Sequence, residues 1–206
     1  MKKTLIALSV LMSASSFAAP MDVTMPAADS HDAASAQVVW KAELPTVMAG
    51  KWVTLKGEGG YDIAEGKFVV NNDGTFSSET PVVLELHYWN ETTGEVGDIV
   101  STGDAYVDGS SAALSKLGTV AYTTSDVTFT SALGADVSGM KALVSANDVI
   151  MSPTVPKDSS ALGITGEHVT SWKIESAPTN SLDVMAGDTI EAKAVVSVDL
   201  AFAAAS

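Results

Sequence analysis

The chain has 206 residues, a formal net charge of −14, eleven lysines with no arginine, and no cysteine. That length supports a real core in one domain or two small ones, and 46 % apolar against 17 % charged residues excludes wholesale disorder. The acidic balance and the lack of guanidinium groups exclude a phosphate-gripping nucleic-acid protein, and zero cysteine excludes disulfides, thiolate zinc sites, iron–sulfur clusters and cysteine nucleophiles.

Residues 1–18 (MKKTLIALSVLMSASSFA) are expected to form a secretory signal peptide. Lys2 and Lys3 are the positive start, Leu5 to Met12 the short apolar segment, and Ser16-Phe17-Ala18 the small-residue cleavage site. Cleavage after Ala18 removes two lysines and takes the formal charge to −16. No later run reaches the ~18 apolar residues of a spanning helix, so an exported soluble product is expected. Residues 19–35, rich in Ala, Asp and Ser, read as an N-terminal extension, and 36–206 as one domain.

Period-2 alternation dominates that domain, the signature of strands half-buried in a sheet. Residues 36–44 place Val38, Trp40, Ala42 and Leu44 on one side. Shorter strand candidates lie at 51–56, 67–70, 119–123, 127–130 and 148–151. Asp73-Gly74, between Phe68-Val69-Val70 and Thr75-Phe76, marks a hairpin. Val82, Leu84, Leu86 and Tyr88 alternate with Val83, Glu85, His87 and Trp89. Ser110-Ser111 before 112–117, with Gly118 after, has the cap and stop of a short helix, and 132–146 is a second helix candidate. Pro153, Pro156 and Gly163 make 152–166 a long loop. Thr170, Trp172 and Ile174 alternate with polar neighbours. Finally, Ile190, Ala192, Ala194, Val196, Val198, Leu200 and Phe202 all fall on one face of an extended chain. Many short strands separated by Gly-, Asn- and Asp-rich turns predict an all-β, immunoglobulin-like sandwich with one or two short helices in its loops.

The search for chemistry finds little. Ser138-Gly139-Met140-Lys141 has the S-x-x-K spacing of penicillin-recognising enzymes, without the K-T-G or S-D-N that completes such a site. Gly57 to Gly60 lacks the spacing of a dinucleotide loop and reads as a turn. His31, His87 and His168 are far apart, and Asp98, Asp104 and Asp108 lack the calcium-loop pattern. No cofactor, metal or catalytic set is expected. Trp40 and Trp172 read as core, whereas Trp89, beside a polar loop, is the candidate for ligand contact. A monomeric secreted carbohydrate-binding module using Trp89 and Tyr88 is therefore the alternative to a structural role.

The two ends carry more. A long apolar-alternating strand at a sheet edge leaves a row of unpaired amides over an apolar face. Donor-strand complementation resolves that problem when a partner adds a strand. Met21, Val23, Met25 and Ala27 alternate within 19–27 and suit such a donor, with 36–44 as the alternative register. The groove would be lined by Ile190, Ala194, Val196, Val198, Leu200 and Phe202. MKKTLIALSV, the VVWKAELPTV segment and the final AGDTIEAKAVVSVDLAF run give the chain its likeness. It resembles the Cys-free major fimbrial subunits of enteric bacteria, of the enterotoxigenic colonisation-factor type assembled by the chaperone–usher route. The resemblance implies an incomplete sandwich and polymerisation with identical or related subunits by donor-strand exchange. It also implies a periplasmic chaperone and an outer-membrane usher as partners, and attachment to a host-cell glycan or protein receptor.

Overall fold

The computed structural model describes residues 28–39, 47–107, 113–181 and 187–204. Residues 1–18, expected to be a signal peptide, the donor candidates Met21, Val23 and Met25, and Trp40 lie outside them, as does the rest of 40–46. In chain order the strands are β1 (His31–Val39), β2 (Val47–Met48), β3 (Val53–Lys56), β4 (Lys67–Val70), β5 (Phe76–Thr80), β6 (Val82–Asn90), β7 (Glu95–Ile99) and β8 (Ala105–Val107). They continue as β9 (Ala113–Thr124), β10 (Thr128–Ser131), β11 (Ala142–Ala146), β12 (Val149–Met151), β13 (Lys157–Asp158), β14 (Val169–Ser176) and β15 (Ile190–Ala204).

These strands make two antiparallel sheets. One runs β13-β9-β15-β1-β2, with β8 on β9 and β10 on β15. The other runs β12-β11-β14-β5-β4, with β6 also on β14 and carrying β3 and β7. The core lies between them. Ala192 to Phe202 of β15, with Val120 and Tyr122 of β9, meet Val53, Leu55, Leu84, Leu86, Trp172 and Ile174 from the other sheet. The alternation of β15 holds in space: its even-numbered residues from Ala192 to Phe202 are buried, while Val195 and Asp199 face outward. Trp172 is buried, as its strand position requires, and its indole N–H donates to Thr170 Oγ1 at 2.8 Å. The all-β sandwich is thus the architecture.

The β4–β5 hairpin turns at Asp73-Gly74. Gly74 has φ of 80°, open to glycine at little cost, and its N–H donates to the Asn71 carbonyl at 3.0 Å. Asp73 accepts from both the amide and the hydroxyl of Thr75, hydrogen bonds that hold its carboxyl below the usual range.

Three expectations need correction. In the helix expected over 112–117, the described residues 113–117 are instead the start of β9, because pairing with β15 satisfies amides that a single helical turn leaves open. Gly118 does not stop a helix; it sits where the β9–β15 register shifts, and a Cβ there would lie 2.8 Å from the Ala201 carbonyl oxygen. The helix expected over 132–146 is a run of turns followed by β11, since Gly134 at φ 81° and the Asp136 turn break the helical path. The loop expected over 152–166 contains β13 and a 3-10 turn over Ser159–Leu162, pinned by the buried side chain of Leu162. The short helices of the described residues are this turn and another over Glu58–Gly60.

Candidate functional site

The seam between the N-terminal and C-terminal strands has the geometry of most interest. β15 uses both of its edges. On one side it pairs with β10 at Ile190 to Lys193 and with β9 from Val196 onward. On the other it pairs with β1, from His31↔Ala201 to Val39↔Lys193. The expected open groove is therefore occupied. Ile190, Ala194, Val196, Val198, Leu200 and Phe202 face the core, but β1 of the same chain lies beside the backbone from Lys193 to Ala201. The expectation of an incomplete sandwich is corrected for this state, because β1 supplies the amides and carbonyls that the β15 edge needs. The strand begins at His31, inside the stretch read as extension, and runs into the first residues of 36–44; 19–27 and 40–44 lie outside the described residues.

The inward residues of β1 are unusual. Asp32, Ala34 and Ala36 are buried, and all three are small. Burying a methyl contributes only about 1 kcal/mol, so side-chain burial at Ala34 and Ala36 holds β1 weakly. Among the described contacts, main-chain pairing with β15 and the polar contact of Asp32 contribute more. Among the described residues, β2 lies beyond β1, paired at Ser35↔Met48 and Ala36↔Val47.

That polar contact is made by Asp32. After β2 the chain crosses from one sheet to the other through Ala49 to Trp52 and enters β3. In this crossing the Lys51 amide donates to Asp32 Oδ1 at 2.8 Å, and the Trp52 and Val53 amides donate to Oδ2 at 2.6 and 3.2 Å. A buried carboxylate is tolerated only when its oxygens are satisfied, and three amides do so here. The bend is closed by the Gly50 amide donating to the Val53 carbonyl at 2.8 Å. A Cβ on Gly50 would lie 2.7 Å from both Asp32 oxygens and collide with the Ala33 carbonyl oxygen. Trp52 then packs edge-on against Phe202 at 5.6 Å, with the Lys51 ammonium 5.0 Å from its ring centre. Its buried indole N–H has no acceptor among the described residues.

Two other polar clusters are built into the sandwich. The turn at Gly59 and Gly60, both at positive φ, aims two successive amides at Glu85, each 2.9 Å from a carboxylate oxygen. His87 Nε2 lies 3.0 Å from the same carboxylate, and Nδ1 lies 2.8 Å from the Gly97 carbonyl oxygen. Burial opposes the charge on Glu85. Together the Gly59 amide, the His87 contact and the Gly60 amide outweigh it and hold the carboxyl below its usual range. In the second cluster the Tyr122 hydroxyl lies 3.2 Å from His168 Nδ1, with the rings stacked. Burial pushes His168 down to about 4, against the charge of Asp104, and pushes the Tyr122 hydroxyl up. Asp104 is itself held by the Tyr88 hydroxyl at 2.6 Å and the Ser101 amide at 2.8 Å.

The remaining candidates do not converge. Trp89 is half-buried opposite Val96 of β7, and Tyr88 is engaged by Asp104, so the two offer no shared stacking platform. Ser138 lies in the Asp136 turn, where its amide donates to the Asp136 carboxylate at 2.9 Å. Among the described residues no three metal-ligating side chains come together, and no helix is long and apolar enough to cross a membrane. Asp108 lies outside those residues. Sequence reasoning missed Asp32. Its signal was slight: an acidic residue in alternation with Ala34 and Ala36, and a Gly-Lys-Trp-Val bend eighteen residues later. Compared with known proteins, the chain matches no family model, no curated protein and no solved structure.

Proposed function

We propose that this chain is an exported structural subunit of a bacterial surface fimbria, acting by assembly rather than catalysis. It would polymerise by donating its first strand to a neighbour and so support attachment to host cells. A periplasmic chaperone and an outer-membrane usher are its assembly partners in this reading. The observation that carries the proposal is β1. It sits beside the C-terminal strand, its described buried side chains are Asp32, Ala34 and Ala36, and residues 40–46 separate it from β2 in sequence. Such a strand is held by bonds that another copy of itself reproduces one for one. Exchange between subunits then costs little beyond the entropy of association, while a chain of exchanged strands gains a continuous sheet contact at every junction. The donor assigned here is His31–Val39.

The absence of native cysteine makes a direct test simple. Ala33 and Asp199 are register partners with outward side chains. Chains carrying Ala33→Cys are mixed with chains carrying Asp199→Cys, refolded together and oxidised. Strand exchange yields a covalent heterodimer. If both chains remain monomeric under conditions in which the Ala33→Cys/Asp199→Cys double variant closes its internal bridge, the proposal fails.

A further inference from the structure

We infer that the amides of Lys51, Trp52 and Val53 form a register-reading receptor for Asp32 of a second copy of this chain. This rests on the strand exchange proposed above and adds what makes the exchange selective. Among the described inward side chains of β1, Ala34 and Ala36 set few obstacles to sliding past β15, because a methyl fits almost any inward site. A slip of one residue turns the inward face outward. A slip of two keeps the faces and is the real competitor. It would bring Ser30 or Ala34 to the place of Asp32. Alanine offers no acceptor and serine one oxygen, against three buried amides that now meet two carboxylate oxygens. Of the three, Asp32 alone offers two oxygens to these amides, and the site is close enough to the bend that a Cβ on Gly50 would lie 2.7 Å from both.

The receptor and its ligand lie on separable parts of the chain. In an exchanged assembly they come from different subunits. An incoming strand without an acidic residue at this place would leave the amides unpaired, so the nest favours strands of its own kind.

Two readouts test this. For register, a donor chain carrying Ala33→Cys is mixed with an acceptor chain carrying Ser197→Cys, Asp199→Cys or Ala201→Cys, each introduced singly into the cysteine-free background. The native donor should bridge to position 199 almost alone, by the pairing of Ala33 with Asp199. Adding Asp32→Ala to the donor should raise bridging to positions 197 and 201 on the order of tenfold or more, and Asp32→Asn by less. For complementation, Asp32→Ala chains keep the nest but lose its ligand, and Gly50→Ala chains keep the ligand but lose the nest. Each alone should lose most bridging to position 199 and exchange only at slipped registers, while their mixture should restore bridging to 199 in one direction, from Gly50→Ala strands to Asp32→Ala acceptors. Both variants polymerising like the natural chain with unchanged bridging to position 199 overturns the inference and leaves strand exchange standing. A natural donor strand giving no interchain bridge at any of the three positions overturns strand exchange itself. Should the Ala variants fail to fold, an unchanged bridging pattern in Asp32→Asn overturns the inference and a shifted one upholds it.

Discussion

Acidification should weaken this fold through His168. The side chain is buried, stacked on Tyr122 and hydrogen-bonded through Nδ1, so folding holds it neutral. Its ordinary value of 6.5 falls to about 4. Above pH 6.5 neither the folded nor the unfolded chain carries this proton, and the contribution to stability is complete. Between 6.5 and about 4 the unfolded chain binds a proton that the folded chain refuses, so stability falls as pH falls. At about 1.4 kcal/mol per pH unit this interval amounts to about 3 kcal/mol, and solvent screening with local relaxation trims it to about 2 kcal/mol. The assay is urea unfolding of the natural chain and of His168→Gln at intervals from about pH 7.5 to about 4.2, spanning the shift. The Gln variant should start less stable, and the gap should narrow by about 2 kcal/mol across the range, because only the natural chain loses this term. Carboxylates other than Asp104, whose charge acts on His168, cancel in the comparison. A constant gap, or an imidazole resonance of His168 titrating near its ordinary 6.5, would refute the reasoning.

Other outcomes follow from the same geometry. Leu200→Ala, at a fully buried site on β15, should cost about 2–5 kcal/mol in urea or thermal unfolding, and a loss below about 1 kcal/mol would contradict its place in the core. Glu85→Gln should cost about 1–3 kcal/mol at pH 7, because two turn amides and His87 lose a charged partner. The folded carboxyl of Glu85 lies below its ordinary value, so its contribution is present above the usual carboxylate range and is lost as pH falls through the folded value. The penalty of the Gln variant should therefore shrink in acid. Gly74→Ala forces a side chain into φ of 80° and should cost about 1 kcal/mol without altering the β4–β5 register, as read by amide exchange of Val70 and Phe76.

The fold was legible where one face is buried and the other wet. β15, β6 and β14 follow from alternation alone, and β4 with its Asp73-Gly74 turn from hairpin chemistry. Legibility failed where a segment's own chemistry is weak and a distant partner decides its state. The Ala-Leu-Ser-Lys-Leu start of β9 has the residues of a helix, yet the bare edge of β15 claims it. β1 was harder still. Ala33, Ala34, Ser35 and Ala36 carry little hydrophobic contrast, so period 2 cannot be read there, and pairing with β15 rather than propensity makes the strand. The candidate site shares that difficulty. The β15 half was readable from its alternating face, whereas Asp32 gains meaning only once the bend after Gly50 turns three amides toward it.

The proposed exchange requires β1 to leave its own sandwich and close another. Sedimentation of the Ala33→Cys/Asp199→Cys chain, oxidised while monomeric and then reduced, tests it most directly. With β1 tied to β15 of the same chain the protein should stay monomeric at any concentration, and reduction should restore the polymers of the natural chain. Polymers of equal length from the tied and the reduced protein would contradict the account.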